Sequence, residues 1–306
     1  MIITNLRNFR LSILSQANKL YLKANSRFNC KRMMHRISAA QFCATENVST
    51  NLNVLKELAF KAKEENSSAI FFPEASDYIA RNHEEASNLA QPLTGSYVSS
   101  IQSIARELKI WIGVGVHEKI PESERLYNTY LMISDEGHIR EKYQKVHLFD
   151  ISLRNGPNLK ESSYTKAGEK LCPPIPTPFG TIGLAICYDL RFPELSQTLR
   201  LNGAQILTYP SVFTTKTGLA HWETLLRARA IETQCFVVAP GQIGNHNSKR
   251  SSYGHSMIVS PWGEVLATCG DNLAPSICTS EADMAFLSRV REENAPGISP
   301  KAKSVF

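Results

Sequence analysis

The 306-residue sequence contains no apolar run close to the roughly 20 residues that a membrane-spanning helix requires, so no membrane association is expected. It has no Cys-x-x-Cys pair. Its seven cysteines, Cys30, Cys43, Cys172, Cys187, Cys235, Cys269 and Cys278, are odd in number and widely spaced. That pattern argues against a disulfide framework or a cysteine zinc site and fits a reducing compartment. There is no His-Glu-x-x-His or comparable cluster, so neither metal nor other cofactor is expected. Internal repeats and low-complexity tracts are also absent. Residues 1–36 contain no Asp or Glu, yet carry Arg7, Arg10, Lys19, Lys23, Arg27, Lys31, Arg32 and Arg36. Removing those eight positive charges from the net +6 leaves the remainder at −2. The body therefore has no basic excess with which to hold nucleic acid.

The acid-free segment is similar to mitochondrial presequences, with Leu6, Phe9, Ile13 and Leu14 able to form one apolar helical stripe. The plainer reading is a disordered basic tail. The expected division is a leader over 1–34 and one catalytic domain over 35–306. A mitochondrial long form is expected, with a cytoplasmic form if translation starts at Met33 or Met34.

After the leader, apolar strands alternate with amphipathic helices. Strands are expected at 37–43, 69–72, 110–116, 127–134, 180–187, 205–209, 235–239, 254–260 and 276–279. Helices are expected at 51–64, after Thr94 as a cap, after Pro193, and at 218–234. This alternation gives an α/β fold with no linker dividing the body. The segment 149–178 lacks periodicity, and its length suits a functional loop.

Three chemistry-bearing residues stand at the ends of apolar strands. Glu74 follows Ile70-Phe71-Phe72-Pro73, Lys145 lies in Tyr143-Gln144-Lys145-Val146-His147-Leu148-Phe149-Asp150, and Cys187 follows Ile182-Gly183-Leu184-Ala185-Ile186. Ligands of open α/β folds bind beyond the carboxyl ends of strands. A cysteine is strongly nucleophilic only as thiolate. A carboxylate can take its proton and return it to a leaving amine. An ammonium can face the developing oxyanion. Taken singly, each residue also has a structural reading: an inert core thiol, a helix start, a solvated charge.

Together, these three segments resemble the glutamate, lysine and cysteine motifs of the nitrilase superfamily of carbon-nitrogen hydrolases, in the same chain order. The likeness extends from about Ile37 to Asp283. It implies Glu74 as general base and acid, Lys145 as oxyanion stabiliser, Cys187 as nucleophile, and the backbone N–H of Tyr188 as a second oxyanion donor. Glu161, in Leu159-Lys160-Glu161-Ser162, matches a supporting second glutamate of the family. The implied fold is an α-β-β-α sandwich that commonly dimerises to α-β-β-α-α-β-β-α through the helices after Cys187 and over 218–234. A homodimer is therefore expected, although the tail 295–306 departs from the branch's usual Arg-rich ending.

Flanking segments resemble the Nit branch: residues 76–82, 208–213, 217–223, 227–232 and 252–257. The likeness implies an amidase hydrolysing the terminal amide of deaminated glutathione to α-ketoglutarate and cysteinylglycine. An ω-amidase acting on α-ketoglutaramate or α-ketosuccinamate is the alternative. Either substrate is a small anionic amide. Arg191 is the expected carboxylate anchor at the mouth of the site, unless it is spent on Glu194 or Asp189. Tyr78, Arg81, Phe213 and Thr215 are candidates for the walls. His221, Trp222, Glu223 and Arg229 are assigned to helix packing and His255 to a structural hydrogen bond. Two non-hydrolytic readings are a nitrilase-like scaffold or binding protein and a redox sensor built on a low-pKa, exposed Cys187.

Overall fold

A computed structural model describes residues 35–152 and 158–293. The expected leader 1–34 and the tail from residue 294 lie outside the described residues. In the first half, β1 (His35–Phe42) is followed by α1 (Val48–Glu64), β2 (Ser67–Phe71), α2 (His83–Leu89), α3 (Ser96–Leu108), β3 (Trp111–Lys119), β4 (Leu126–Ile133) and β5 (Ile139–Gln144). The second half runs through β6 (Asp150–Ser152), β7 (Asn158–Lys160), a 3-10 turn at Glu161–Ser163, β8 (Ile175–Thr177) and β9 (Gly180–Leu184). A second 3-10 turn at Cys187–Arg191 leads to α4 (Pro193–Leu201), β10 (Ile206–Thr208) and α5 (Thr215–Thr233). The remainder is β11 (Phe236–Ala239), β12 (Gly241–Asn247), β13 (Arg250–Tyr253), β14 (Met257–Val259), β15 (Val265–Thr268), β16 (Ser276–Ala282) and α6 (Met284–Glu293). Among the described residues no helix is long and apolar enough to cross a membrane.

One sheet has the order β13-β12-β1-β2-β3-β4-β5, with β16 also paired to β1; the other has the order β15-β14-β11-β10-β9-β8. Alternation along the first sheet sorts its side chains between two cores. Ile37 and Ala39 of β1, Phe71 of β2 and Tyr130 and Met132 of β4 pack with Ile182, Leu184 and Ile206 of the second sheet. Their neighbours Ala40, Phe42, Ile70, Leu131 and Ile133 pack with Leu55, Leu58 and Ala59 of α1 and Val98 and Ile101 of α3. Leu195 and Leu199 of α4 and Trp222, Leu226 and Ala230 of α5 cover the second sheet. The result is the α-β-β-α sandwich that the resemblance implies.

Local chemistry explains where the expected elements shift. Asn47 caps α1 by accepting the Thr50 N–H at 3.0 Å. Thr94 does not cap α3: Gly95 occupies that position, and Gln91 Oε1 accepts the Tyr97 N–H at 3.1 Å instead. The strand expected over 180–187 stops at Leu184, because Cys187 already belongs to the next turn. β16 outruns its expected end because β1 pairs with it from His35 to Gln41. β5, the β12–β13 hairpin and α6 were not expected. β5 reads Ile-Arg-Glu-Lys-Tyr-Gln, and its charged residues hide an edge strand.

Gly115 of β3 couples this frame to the chemistry. A Cβ there would lie 2.6 Å from Glu74 Cα and 2.8 Å from Pro73 O. Backbone must move to admit it. Gly115→Ala should therefore destabilise the chain by about 1–3 kcal/mol, seen as a lower melting temperature, and displace Glu74, seen as lost turnover. A variant that keeps both values would show that this approach does not constrain the site.

Candidate active site

Four loops bring the expected residues together. Beyond β2 the chain stays laddered to β3: the Phe72 N–H donates to Gly113 O at 2.7 Å, Gly115 N–H to Pro73 O at 3.2 Å and Ser76 N–H to Gly115 O at 2.9 Å. Gln242 of β12 holds the same loop, donating to Glu74 O at 3.1 Å and Ala75 O at 3.3 Å. Lys145 directly follows β5, its N–H bonded to Asn128 O at 2.9 Å. Glu161 opens its 3-10 turn and accepts the Phe149 N–H at 2.7 Å.

Cys187 has φ +45°, a left-handed conformation that strains any residue with a Cβ. The turn around it is built by Asp189, which is fully buried. Its carboxylate accepts the Ile186 N–H at 2.9 Å, the Tyr143 hydroxyl at 2.8 Å and the His147 N–H at 3.2 Å. His147 Nδ1 lies 2.7 Å from the same carboxylate. The Cys187 N–H donates to Pro210 O at 3.0 Å. These bonds hold the strained elbow in place.

At the centre, the Lys145 ammonium donates to Glu74 Oε1 at 2.9 Å and to Glu161 Oε2 and Oε1 at 3.0 and 3.3 Å. Asn128 Nδ2 bridges the two carboxylates, 2.7 Å from Glu74 Oε1 and 3.1 Å from Glu161 Oε1. The Val212 N–H donates to Glu74 Oε2 at 2.7 Å. Glu74, Lys145, Glu161 and Cys187 are all buried. The Cys187 thiol lies within electrostatic reach of Glu74 and Lys145.

Electrostatics follow from this packing. Burial pushes Glu74 toward protonation, but Lys145, Asn128 and Val212 together outweigh it and hold the carboxyl below its ordinary range. Burial would neutralise Lys145, yet Glu161 and Glu74 drive its pKa well above the usual lysine value. Burial and then the charge of Glu74 raise the Cys187 thiol, with Lys145 opposing them. These forces favour a protonated thiol over a thiolate and an ionised over a protonated Glu74, a pairing in which the thiol proton can pass to Glu74 as the sulfur attacks. The low-pKa, exposed Cys187 of the redox-sensor reading is not what the structure holds.

Expected substrate contacts divide. Arg191 lies over the rings of Tyr188 at 6.0 Å and Phe213 at 5.5 Å, and its guanidinium is 3.3 Å from His221 Nδ1. Among the described residues it pairs with no carboxylate: Asp189 is engaged by His147, and no ion pair joins Arg191 to Glu194. His221, expected to serve packing, also reaches Arg191. Tyr78 is buried, stacks on His117 at 4.3 Å and donates to Ala86 O at 2.8 Å. Arg81 is exposed and pairs with Glu85 four residues on. Thr215 is the exposed first residue of α5. Neither Arg81 nor Thr215 hydrogen-bonds to the carboxylate cluster. Trp222 donates to His255 O at 2.8 Å, Glu223 pairs with Arg227, and Arg229 donates to Leu190 O at 3.0 Å, all structural tasks. His255 Nδ1 lies 3.0 Å from Tyr253 O, the structural hydrogen bond expected of it.

Asn128, Val212, Gln242 and the His147–Asp189 pair were not anticipated. Asn128 left one trace, an amide inside the largely apolar and aromatic strand Leu126–Ile133, where asparagine is disfavoured. Val212 contributes only backbone, which no side-chain pattern reveals.

The family model for carbon-nitrogen hydrolases matches residues 36–292, and the chain belongs to that family. It is accordingly a hydrolase of carbon–nitrogen bonds. It is 44% identical over 260 residues to deaminated glutathione amidase of Mus musculus, covering 84% of this chain and 80% of that one. It is also 44% identical to the nitrilase and fragile histidine triad fusion protein NitFhit of Caenorhabditis elegans, but spans 59% of that longer protein. The crystal structure of C. elegans NitFhit superposes with a TM-score of 0.84 at 42% identity, covering 89% of this chain and 66% of that one. That of Saccharomyces cerevisiae Nit3, a member of branch 10 of the nitrilase superfamily, gives 0.77 at 28% identity, covering 88% and 96%.

Asn128→Ala removes a donor that keeps Glu74 ionised, a bond to a charged group of about 1.5–3 kcal/mol. The Glu74 pKa should rise, so the acid limb of the kcat/KM profile should move to higher pH. An acid limb left in place would show that Asn128 does not set this ionisation. In the unmodified chain, iodoacetamide should label Cys187 slowly at neutral pH and faster above the ordinary thiol range.

Proposed function

We propose that the chain is a thiol amidase for deaminated glutathione, releasing α-ketoglutarate and cysteinylglycine. The observation that carries this reading is the buried set of Cys187, Glu74, Lys145 and Glu161 around one ammonium. The name of the mouse relative and the carboxylate-free Arg191 beside the nucleophile's turn support the substrate.

Cys187 Sγ attacks the amide carbon while its proton passes to Glu74. The oxyanion faces Lys145 and the N–H of Tyr188. Collapse expels the amine of cysteinylglycine, which takes the proton from Glu74. Glu74 then removes a proton from water, the hydroxide attacks the thioester, and the thiol is regenerated. Glu161 and Asn128 fix the ammonium and act through it. At the mouth, Arg191 grips a substrate carboxylate, with Phe213 beneath it and His221 orienting its fork.

Deaminated glutathione should be turned over in preference to α-ketoglutaramate. The opposite preference would make the chain an ω-amidase. Cys187→Ala should abolish hydrolysis in a folded protein; no turnover by the unmodified chain of either substrate would favour a scaffold. Arg191→Ala should raise KM roughly 10- to 100-fold with a smaller change in kcat, the loss expected for a charged hydrogen bond.

The same reading includes a homodimer and import of the long form into mitochondria. Leu219 and Ile231, 79% and 54% exposed on α5, suit burial against a second copy. Sedimentation should give the mass of two chains. A fusion of residues 1–34 to a fluorescent protein should enter mitochondria; diffuse signal would remove the localisation.

A further inference from the structure

Two cysteines that the chemistry above does not use lie against each other. Cys269 directly follows β15, at the edge of the second sheet, and Cys278 lies within β16, in the first sheet. Nine positions separate them in sequence, in no recognisable motif. Their thiols act on each other electrostatically.

Backbone geometry converges on the same place. Cys278 is the cross-strand partner of Ala39, and Cys269 Sγ reaches Ala39 O at 3.8 Å. The Cys269 N–H donates to Ser256 O at 2.9 Å, and Cys278 Sγ approaches that same oxygen at 3.4 Å. Both residues are thus tied to the same two residues, Ala39 and Ser256. The loop between them is held as well, with Gln41 Nε2 donating to Gly270 O at 3.1 Å and Asn272 O at 3.0 Å. Cys278 is buried, whereas Cys269 is partly exposed, so an oxidant can reach one sulfur of the pair.

We propose that Cys269 and Cys278 are a redox modification site, oxidised by a hydroperoxide to a disulfide that staples the two sheets together. Cys269 is the attacking sulfur. The neighbouring Cys278 thiol holds its pKa below the ordinary thiol value, and the same proximity raises Cys278 well above it. The Cys269 thiolate attacks one oxygen of hydrogen peroxide as the O–O bond breaks, leaving a sulfenic acid and expelling hydroxide, which takes up the proton the thiol released and leaves as water. Cys278 sulfur then attacks Cys269 sulfur, the S–O bond breaks and a second water leaves. Two thiols lose two electrons and two protons, and one peroxide becomes two waters.

The test treats the full folded chain with hydrogen peroxide and maps it by mass spectrometry without reduction. The expected product is a peptide pair joining Cys269 to Cys278, two hydrogens lighter than the reduced pair and restored by a reductant. Treating Cys187→Ala in parallel should give the same bridge. Cys269→Ser should abolish it while the reduced variant keeps unmodified turnover. Bridging that occurs only after denaturation would overturn the proposal. So would stepwise over-oxidation of Cys269 with Cys278 left as free thiol.

Discussion

A single buried ammonium organises this molecule. Removing a lysine charge from water costs several kcal/mol unless it is paired and its donors are used. Lys145 meets that demand with two carboxylates from distant parts of the chain, Glu74 after β2 and Glu161 in the turn after β7. Each carboxylate would be equally costly without the lysine. The loops are therefore mutually dependent: Glu74 also needs Val212 and Asn128, Glu161 needs Asn128 and the Phe149 N–H, and Lys145 is bonded through its own backbone to Asn128. The charged parts of the site form one electrostatic unit.

The proposed nucleophile answers to a different constraint. Cys187 occupies a left-handed conformation that its own sequence does not favour, and a fully buried Asp189 fastens the turn. That aspartate draws on Tyr143, at the end of β5, and on His147, two residues beyond Lys145. The segment that delivers the ammonium thus also anchors the elbow that delivers the sulfur. The segment 143–149 is consequently the joint between the two halves of the site, and one displacement there would disturb both.

Much of the fold was legible because hydrophobic periodicity survives where a strand is buried on both faces or a helix on one. Ile70 and Phe71 point to opposite cores, and Leu55, Leu58 and Ala59 share one face of α1. Legibility failed where partners supply what propensity does not. β5 is charged, and it is a strand because β4 pairs with it. Thr94 looked like a cap, but the side chain of Gln91 reached the free N–H first. Tyr78 and Arg81 looked like site walls by their nearness to Glu74, yet His117 and Glu85 engage them.

The sequence by itself determined which groups are the candidates for the chemistry: a cysteine, a lysine and two glutamates, in segments whose order resembles one hydrolase family. It also determined the alternation that makes a layered α/β body. Only the tertiary structure decided the direction in which each ionisation is pushed, because that depends on burial and on distances between groups far apart in the chain. It alone revealed Asn128 and Val212 as partners of Glu74, freed Arg191 from its neighbouring acids, and set Cys269 against Cys278. Residue type is written locally, whereas charge, reach and reactivity arise when the backbone brings separate loops within hydrogen-bond distance.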